Sequence, residues 1–337
     1  VSSPAIATCD DCRAQIAPGL LACPRCARLV HAAELTELSA TAQRAEATQD
    51  VSAALAAWRR ALELLPEGTS QHASVLARIN RLAATVDGRA PATTSGKGGA
   101  KAVGVGAVGV ALLKAKSLLA LLLANGKLLL VGLTKVPTLI SMLIYMQWSS
   151  GRGIGFGLGF VASIYVHEIG HVAALRRYGI AASAPMFVPG FGALVRLKQY
   201  PASAPEDART GLAGPLWGLV AALVAAAIGW VWSAPVALAV ASWGATINLF
   251  NLIPVWQLDG SRGLRALCRN QRLMVAAVAG VVAIALHEWM PALVGAVALG
   301  RAFSATAPGE GDRPVLGWFV LLIVLHGLIA MLPAGPF

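Results

Sequence analysis

His167-Glu168-Ile169-Gly170-His171 sets two imidazoles four residues apart, with a carboxylate beside the first. On a helix, positions i and i+4 share a face, so both rings can grip one metal ion. Glu168 is not a ligand in this arrangement; it is placed to take a proton from a water beside the metal. A second constellation follows at Asn248-Leu-Phe-Asn251-Leu-Ile-Pro254-Val-Trp-Gln-Leu-Asp259-Gly260. A third ligand is needed, and Asp259 suits. Pro254 must interrupt a helix there and re-aim Asp259. Asn248 and Asn251 offer amide groups on one helix face. The plainer role for Asp259 is to cap a helix that begins at Ser261. A third group, Cys9-x2-Cys12 and Cys23-x2-Cys26, has the spacing of a tetrahedral zinc knuckle pair. About twenty residues cannot build a core, so a metal there would supply the folding energy. Iron would suit the same four thiolates, and two disulfides are the alternative without metal. Cys268 stands alone in an Arg-rich loop and reads as a bystander.

The setting of these groups is apolar. The chain is 57% hydrophobic and only 13% charged, where a soluble enzyme would carry about 25% charged residues. From Gly153 to Leu175 the only acidic or basic side chains are His167, Glu168 and His171. That stretch is long enough to cross a bilayer, and ionisable groups at such depth are costly and point to function. The expected fold is mainly α: a polytopic membrane helical bundle carrying a small cytoplasmic head, made of a zinc ribbon and a helical hairpin. Residues 1–100 hold 10 Lys+Arg and 9 Asp+Glu, leaving 17 and 7 for the rest. The basic excess lies between apolar segments, as expected of cytoplasmic loops, and this distribution argues against nucleic acid as a partner. No apolar export segment is found in the first 35 residues.

Taken in order, the chain divides into a zinc ribbon (1–31), a helical segment (32–86), a flexible linker (87–101) and a membrane-embedded domain (102–337). In the helical segment Ala54, Leu55, Trp58, Ala61, Leu62 and Leu65 repeat at helical spacing before Pro66. Helices are expected on either side, at about 34–47 and 70–85. The pattern resembles a tetratricopeptide repeat, either a unit for a cytoplasmic partner or self-association, or a spacer. Gly104, Gly106 and Gly109 match a dinucleotide fingerprint, but no strand precedes them and no Asp or Glu lies between Asp87 and Glu168 to hold a ribose. Lys114, Lys116 and Lys127 make 102–128 an interfacial or partly inserted helix. Spans are expected at 128–148, at the His-Glu helix, at about 211–232, at 235–256 and at 315–333. Residues 273–300 fit one tilted span or two short segments. In 181–200, Pro189-Gly190 signals a turn and 191–197 can be extended, offering an edge to an unwound peptide or merely a connection. The lone His287 and His326 read as packing or hydrogen-bonding residues.

The two membrane constellations together resemble the site-2 protease family of intramembrane zinc metalloproteases (peptidase family M50), over roughly Lys127 to Arg272. The resemblance implies zinc held by His167, His171 and Asp259, Glu168 as general base, and Asn248 and Asn251 placing substrate. It implies hydrolysis of peptide bonds within transmembrane segments of membrane-protein substrates, in regulated intramembrane proteolysis. Two zinc ions are expected, one catalytic and one structural. The chain has Asp259-Gly260-Ser261 where the family often has Asp-Gly-Gly, and no room for a PDZ insert. The alternative is a non-catalytic zinc-binding scaffold or receptor acting through its head. Composition suggests a bacterial plasma membrane.

Overall fold

The structure is a computed structural model, and it describes residues 7–88, 153–181, 186–188, 192–194 and 199–333. The glycine-rich stretch at 103–109, the interfacial segment at 102–128 and the first expected span at 128–148 lie outside the described residues, as does most of the linker. The protein divides into two compact units.

The first unit comprises Val1–Pro91, Ala173–Ala182 and Leu197–Asp207. It begins with strands β1 (Ala7–Thr8) and β2 (Gln15–Ile16), paired antiparallel. The two Cys-x2-Cys turns are built alike. The residue after each second cysteine, Arg13 or Ala27, adopts a left-handed backbone with φ of 59° or 58°. Its N–H returns to the carbonyl of the first cysteine, Cys9 or Cys23, at 2.9 Å. Each turn thereby aims two sulfurs inward.

Three helices follow: α1 (Ala32–Ala47), α2 (Val51–Glu63) and α3 (Ser70–Val86). Asp50 and Thr69 cap α2 and α3 by accepting from the N–H groups of Ala53 and His72, satisfying donors the first turn leaves free. The expected apolar face of α2 is buried at Ala54, Leu55, Trp58, Ala61 and Leu65. Leu55 and Trp58 pack on Ala42 of α1 and Ile79 of α3. Glu46 ties the three helices together, accepting from Trp58 Nε1 (2.7 Å) and from Arg78 Nε and Nη2 (2.9 and 3.0 Å). Residues 176–179 and 199–206 lie against the α2 region. Arg59 of α2 is buried among them, donating to the carbonyls of Tyr178 (3.0 Å) and Tyr200 (3.4 Å) and pairing with Glu206.

The second unit holds the apolar helices. They are α4 (Gly153–Arg177, through Val172 in this unit), α5 (Ala204–Val231), α6 (Pro235–Asn251), the short α7 (Asp259–Leu264), α8 (Arg269–Leu286), α9 (Trp289–Ala302) and α10 (Arg313–Ala330). Between α4 and α5, β3 (Met186–Val188) pairs antiparallel with β4 (Gly192–Leu194), with Phe187 opposite Ala193. Pro189 and Gly190, where a turn is expected, lie outside the described residues.

Four of the described helices are long and apolar enough to cross a membrane: Ile154–Arg177, Ala204–Val231, Arg269–Leu286 and Arg313–Ala330. The protein is a mainly α, polytopic membrane protein. Leu223, Val224 and Ile228 on α5, Val281 and Ile284 on α8 and Leu328 on α10 are exposed, as suits side chains that face lipid.

One stretch is resolved between two expected alternatives and one differs from its expected bounds, each for a local reason. The apolar run 273–300 is two helices, because His287 closes α8 in a left-handed conformation (φ 56°) and Pro291 sits in the first turn of α9, where its missing N–H costs nothing. The span expected to reach residue 256 stops at Asn251. Pro254 cannot continue a helix, and residues 252–258 turn before α7 begins at Asp259. Arg209, Asp312 and Arg272, near helix ends of this unit, are partnered. Arg209 donates to Asp312 (3.0 Å), which also caps α10 at Val315 N. Arg272 donates to the carbonyls of Leu267, Arg301 and Thr306.

Candidate metal centre

Helix α4 brings His167 and His171 onto one face, with ring centroids 4.8 Å apart. The turn around Pro254 delivers Asp259 to the same place from 88 residues further along the chain than His171. His167 Nε2 lies 3.1 Å from His171 Nε2 and 3.1 Å from Asp259 Oδ2, and His171 Nε2 lies 3.3 Å from Asp259 Oδ1. All three residues are buried.

The hydrogen bonds at the far side of each ring decide which nitrogens carry protons. His171 Nδ1 faces the carbonyl of Thr210 at 2.8 Å; a carbonyl only accepts, so Nδ1 donates. His167 Nδ1 faces Asn248 Oδ1 at 2.8 Å, while Asn248 Nδ2 donates to the Gly244 carbonyl at 2.7 Å. The amide is thereby oriented with its oxygen toward His167. In the neutral form that a metal requires, rings so bonded at Nδ1 present bare Nε2 lone pairs, which lie 3.1 Å apart with a carboxylate oxygen beside them. Three acceptors that converge without a donor repel one another unless a cation sits among them. Ligand atoms around a tetrahedral ion at about 2.0–2.1 Å are about 3.3 Å apart, and the observed triangle has nearly that size. The residues fit a divalent metal such as zinc.

Glu168 is buried beside this triangle and makes no ion pair with Lys or Arg among the described residues. Asn248 lies one turn before Asn251 on α6. It is held between His167 and its own helix, whereas Asn251 is half-buried at the helix end and is outside the ligand triangle. Asp259 is the first residue of α7, whose N-cap is Leu258 with no side-chain capping bond, so the capping role expected as its alternative is not what Asp259 does; its carboxylate lies in the metal cluster.

The wall opposite the histidines is α5, and its glycines have one task each. A Cβ at Gly214 would collide with the Nε2 atoms of both His171 and His167, one at Gly218 would collide with the Asn248 amide, and one at Gly211 would meet Arg262 Cβ at 2.7 Å. On α4, a Cβ at Gly170 would meet the Ala213 carbonyl at 2.5 Å and Trp217 Cβ at 2.8 Å. The run Gly211-x2-Gly214-x3-Gly218 reads in sequence as close helix packing; what it packs against are the ligand rings and their Asn248 support. Thr210 is a site residue that its side chain does not announce, because it acts through its carbonyl. Arg262 donates to Thr210 Oγ1 at 2.6 Å and holds that turn of α5. Pro215 interrupts the α5 ladder, and the buried His326 donates from Nε2 to its carbonyl at 3.1 Å.

Asn248→Ala should test the support. It removes the acceptor for His167 Nδ1, which then loses its fixed tautomer. Such support residues typically contribute 10–100-fold to metal affinity. We expect a loss of about that size in a competition titration with a chromophoric chelator, with the helical circular dichroism unchanged. An unaltered affinity would show that His167 is held by packing alone.

The second cluster is at the N-terminus. The four sulfurs of Cys9, Cys12, Cys23 and Cys26 lie within 4.8 Å of one another, with Cys9–Cys26 at 3.6 Å and Cys12–Cys23 at 3.5 Å. Disulfide sulfurs would be about 2.05 Å apart, so these are four free thiols. Thiolates around one zinc at about 2.3 Å would be about 3.8 Å apart, close to what is found. The N–H groups of Cys26 and Arg25 draw the Cys23 pKa down to about 6, toward the ligating form. For Cys26 the Arg28 N–H favours the thiolate, but desolvation and the three neighbouring sulfurs outweigh it, and the pKa rises to about 12. Chelation or Cys12→Ser should therefore unfold residues 7–30 while α1–α3, which have their own core, stay folded. Hydrogen exchange reads this directly; protection of 7–30 that survives chelation would count against a structural metal.

Residues 155–242 match the family model of peptidase family M50. No curated protein and no solved structure matches the chain. The matched segment contains both histidines, Glu168 and the glycines of α5, and it stops short of Asp259, which the fold supplies. Over residues 155–242 the chain is thus similar to peptidase family M50, the site-2 protease family of membrane metalloproteases, and its four membrane-length helices make it an integral membrane protein.

Proposed function

We propose that the protein is an intramembrane zinc metalloendopeptidase that cuts peptide bonds within transmembrane segments of other membrane proteins, in regulated intramembrane proteolysis. The observation that carries this reading is the buried triangle of two Nε2 lone pairs and one carboxylate on a membrane-length helix, with Glu168 beside it. His167, His171 and Asp259 would hold the ion. When bound, zinc supplies Lewis acidity, making water a stronger acid and a carbonyl a better electrophile. Glu168 accepts the proton of the attacking water and returns it to the departing amine. Asn248 and Thr210 keep the imidazoles oriented through Nδ1. Asn251, outside the triangle, is assigned to substrate placement.

A helical substrate must unwind first, because its carbonyls are engaged in its own hydrogen bonds. The two-stranded β3–β4 sheet has outer edges that can pair with the extended segment. We assign zinc to both clusters, catalytic at the triangle and structural at the four cysteines. We place the head, with its ribbon at 1–31 and helices at 32–86, in the cytoplasm of a bacterial cell.

The test compares the termini of membrane proteins in cells carrying the wild-type chain with those carrying Asp259→Ala. New termini inside apolar segments that appear with wild type and vanish with the variant support the reading and name the substrate. Identical sets, in cells where the head still captures a cytoplasmic partner, would favour a scaffold.

A further inference from the structure

A repeat-like helical head normally leaves a face of its helices for another protein. Here a face of α2 is occupied by the protein's own chain. Arg59 and Glu206 are 5% and 1% exposed. Arg59 spreads its guanidinium over three acceptors: the Tyr178 carbonyl just beyond the end of α4, the Tyr200 carbonyl, and the Glu206 carboxylate in the first turn of α5. One side chain therefore ties the exit of α4 to the entry of α5. The Tyr178 carbonyl belongs to a helix end whose acceptors have no partner within the helix.

Other contacts in the same unit support the seat. Ser52 Oγ donates to the Arg176 carbonyl at 2.6 Å, Arg177 donates to the Val86 carbonyl at 2.6 Å, Tyr178 Oη donates to Asp87, and Gln199 Nε2 donates to Glu63 at 2.7 Å. Gly179 has φ of +67°, and a Cβ there would meet Ala56 N at 2.5 Å and the Ser52 carbonyl at 2.7 Å. The glycine lets the two backbones touch. A flexible tether would need none of this. A buried arginine that loses its carboxylate is left as an uncompensated charge, so the seat is held or lost as a whole.

We propose that the head is a built-in positioning element for the metal centre, and that Arg59 is its key positioning residue. This role rests on the metalloprotease reading, and the coupling runs along the helices themselves. Arg59 grips the residue after Arg177, and α4 runs unbroken from there back to His171. It grips Glu206, and one turn along α5 stands Thr210, whose carbonyl accepts from His171 Nδ1. Both partners of the His171–Thr210 bond therefore sit on helices whose ends the head holds. Releasing the head lets those ends shift independently and weakens the bond that orients His171.

The test uses the full chain in lipid nanodiscs. Arg59→Ala breaks the seat by charge, and Gly179→Ala breaks it by bulk, without touching the ion pair. Arg60→Ala, next to Arg59 but exposed and paired with Glu34 and Glu63, is the control. Three readouts are taken: hydrogen exchange at 173–180, Co²⁺ affinity of the histidine site from its d–d absorption (the cysteine site being marked by thiolate charge-transfer bands), and cleavage. Both seat variants should exchange faster at 173–180 and bind Co²⁺ about tenfold more weakly or worse, with turnover falling in parallel. Arg59→Lys should recover part of the affinity by restoring the pair with Glu206, and Arg60→Ala should match wild type.

If exchange rises while Co²⁺ affinity and turnover stay at wild-type values, the head is only a tether and the proposal fails. It fails also if Arg59→Ala leaves exchange unchanged. If Arg59→Ala does not accumulate, Gly179→Ala decides alone. The Co²⁺ titration needs no substrate, so a failure of the protease reading would leave this result standing.

Discussion

Glu168→Gln should bind a full complement of metal and lose peptide cleavage by about 10²–10⁴-fold, the range expected for removing a general base. The substitution keeps the size of the side chain and removes only its capacity to take and return a proton. His167, His171 and Asp259 are untouched, as are the Nδ1 contacts to Asn248 and Thr210, so the ligand triangle stays as it is. The measurement pairs elemental analysis of the purified variant with turnover on a membrane-spanning peptide. Cleavage retained within tenfold of wild type would remove Glu168 from the mechanism. A loss of metal would mean that Glu168 is a ligand.

Gly214→Ala should be nearly as damaging for a different reason. The added carbon would stand among the Nε2 atoms of His171 and His167, the space a ligated ion needs. Either the rings turn away, breaking their Nδ1 contacts, or α5 backs off and takes Thr210 with it. We expect metal affinity to fall by at least about 100-fold, the upper end of the effect of disturbing ligand support, and activity to fall with it. Gly280→Ala is a fitting control, because nothing lies within 4 Å of the added carbon on α8. Metal affinity at the wild-type level in Gly214→Ala would mean that α5 yields without cost, and that the tight wall is not part of the site.

The candidate cluster was legible in the sequence because of scarcity. Acidic and basic side chains at membrane depth are few, so His167, Glu168, His171 and Asp259 stand out against an apolar background. The four cysteines stood out by spacing. The supports were not legible in the same way. The Thr210 carbonyl has no side-chain signature. Asn248 was visible as an amide near the site, but its partner among the histidines depends on how α6 lies beside α4. The glycines at 211, 214 and 218 announced close contact without naming its object.

The seat of the head was hidden for a further reason. Arg59 and Glu206 are 147 residues apart, and each alone looks like an ordinary solvent-facing charge. The helix boundaries that hydropathy alone left loose were settled by single residues, His287 and Pro254, whose effect on one peptide unit outweighs the hydropathy of the whole run.

The separation of the ligands along the chain also has a consequence in time. His171 leaves the ribosome 88 residues before Asp259. At about 5–20 residues per second the interval is roughly 4–18 s. For that period the nascent helix α4 carries two histidines and a base with no third ligand to close the site. On the proposed reading, a growing chain caught at this stage would hold a metal poorly and cut nothing, including the newly inserted helices beside it. Cleavage would become possible only once the segment carrying Asp259 has been made.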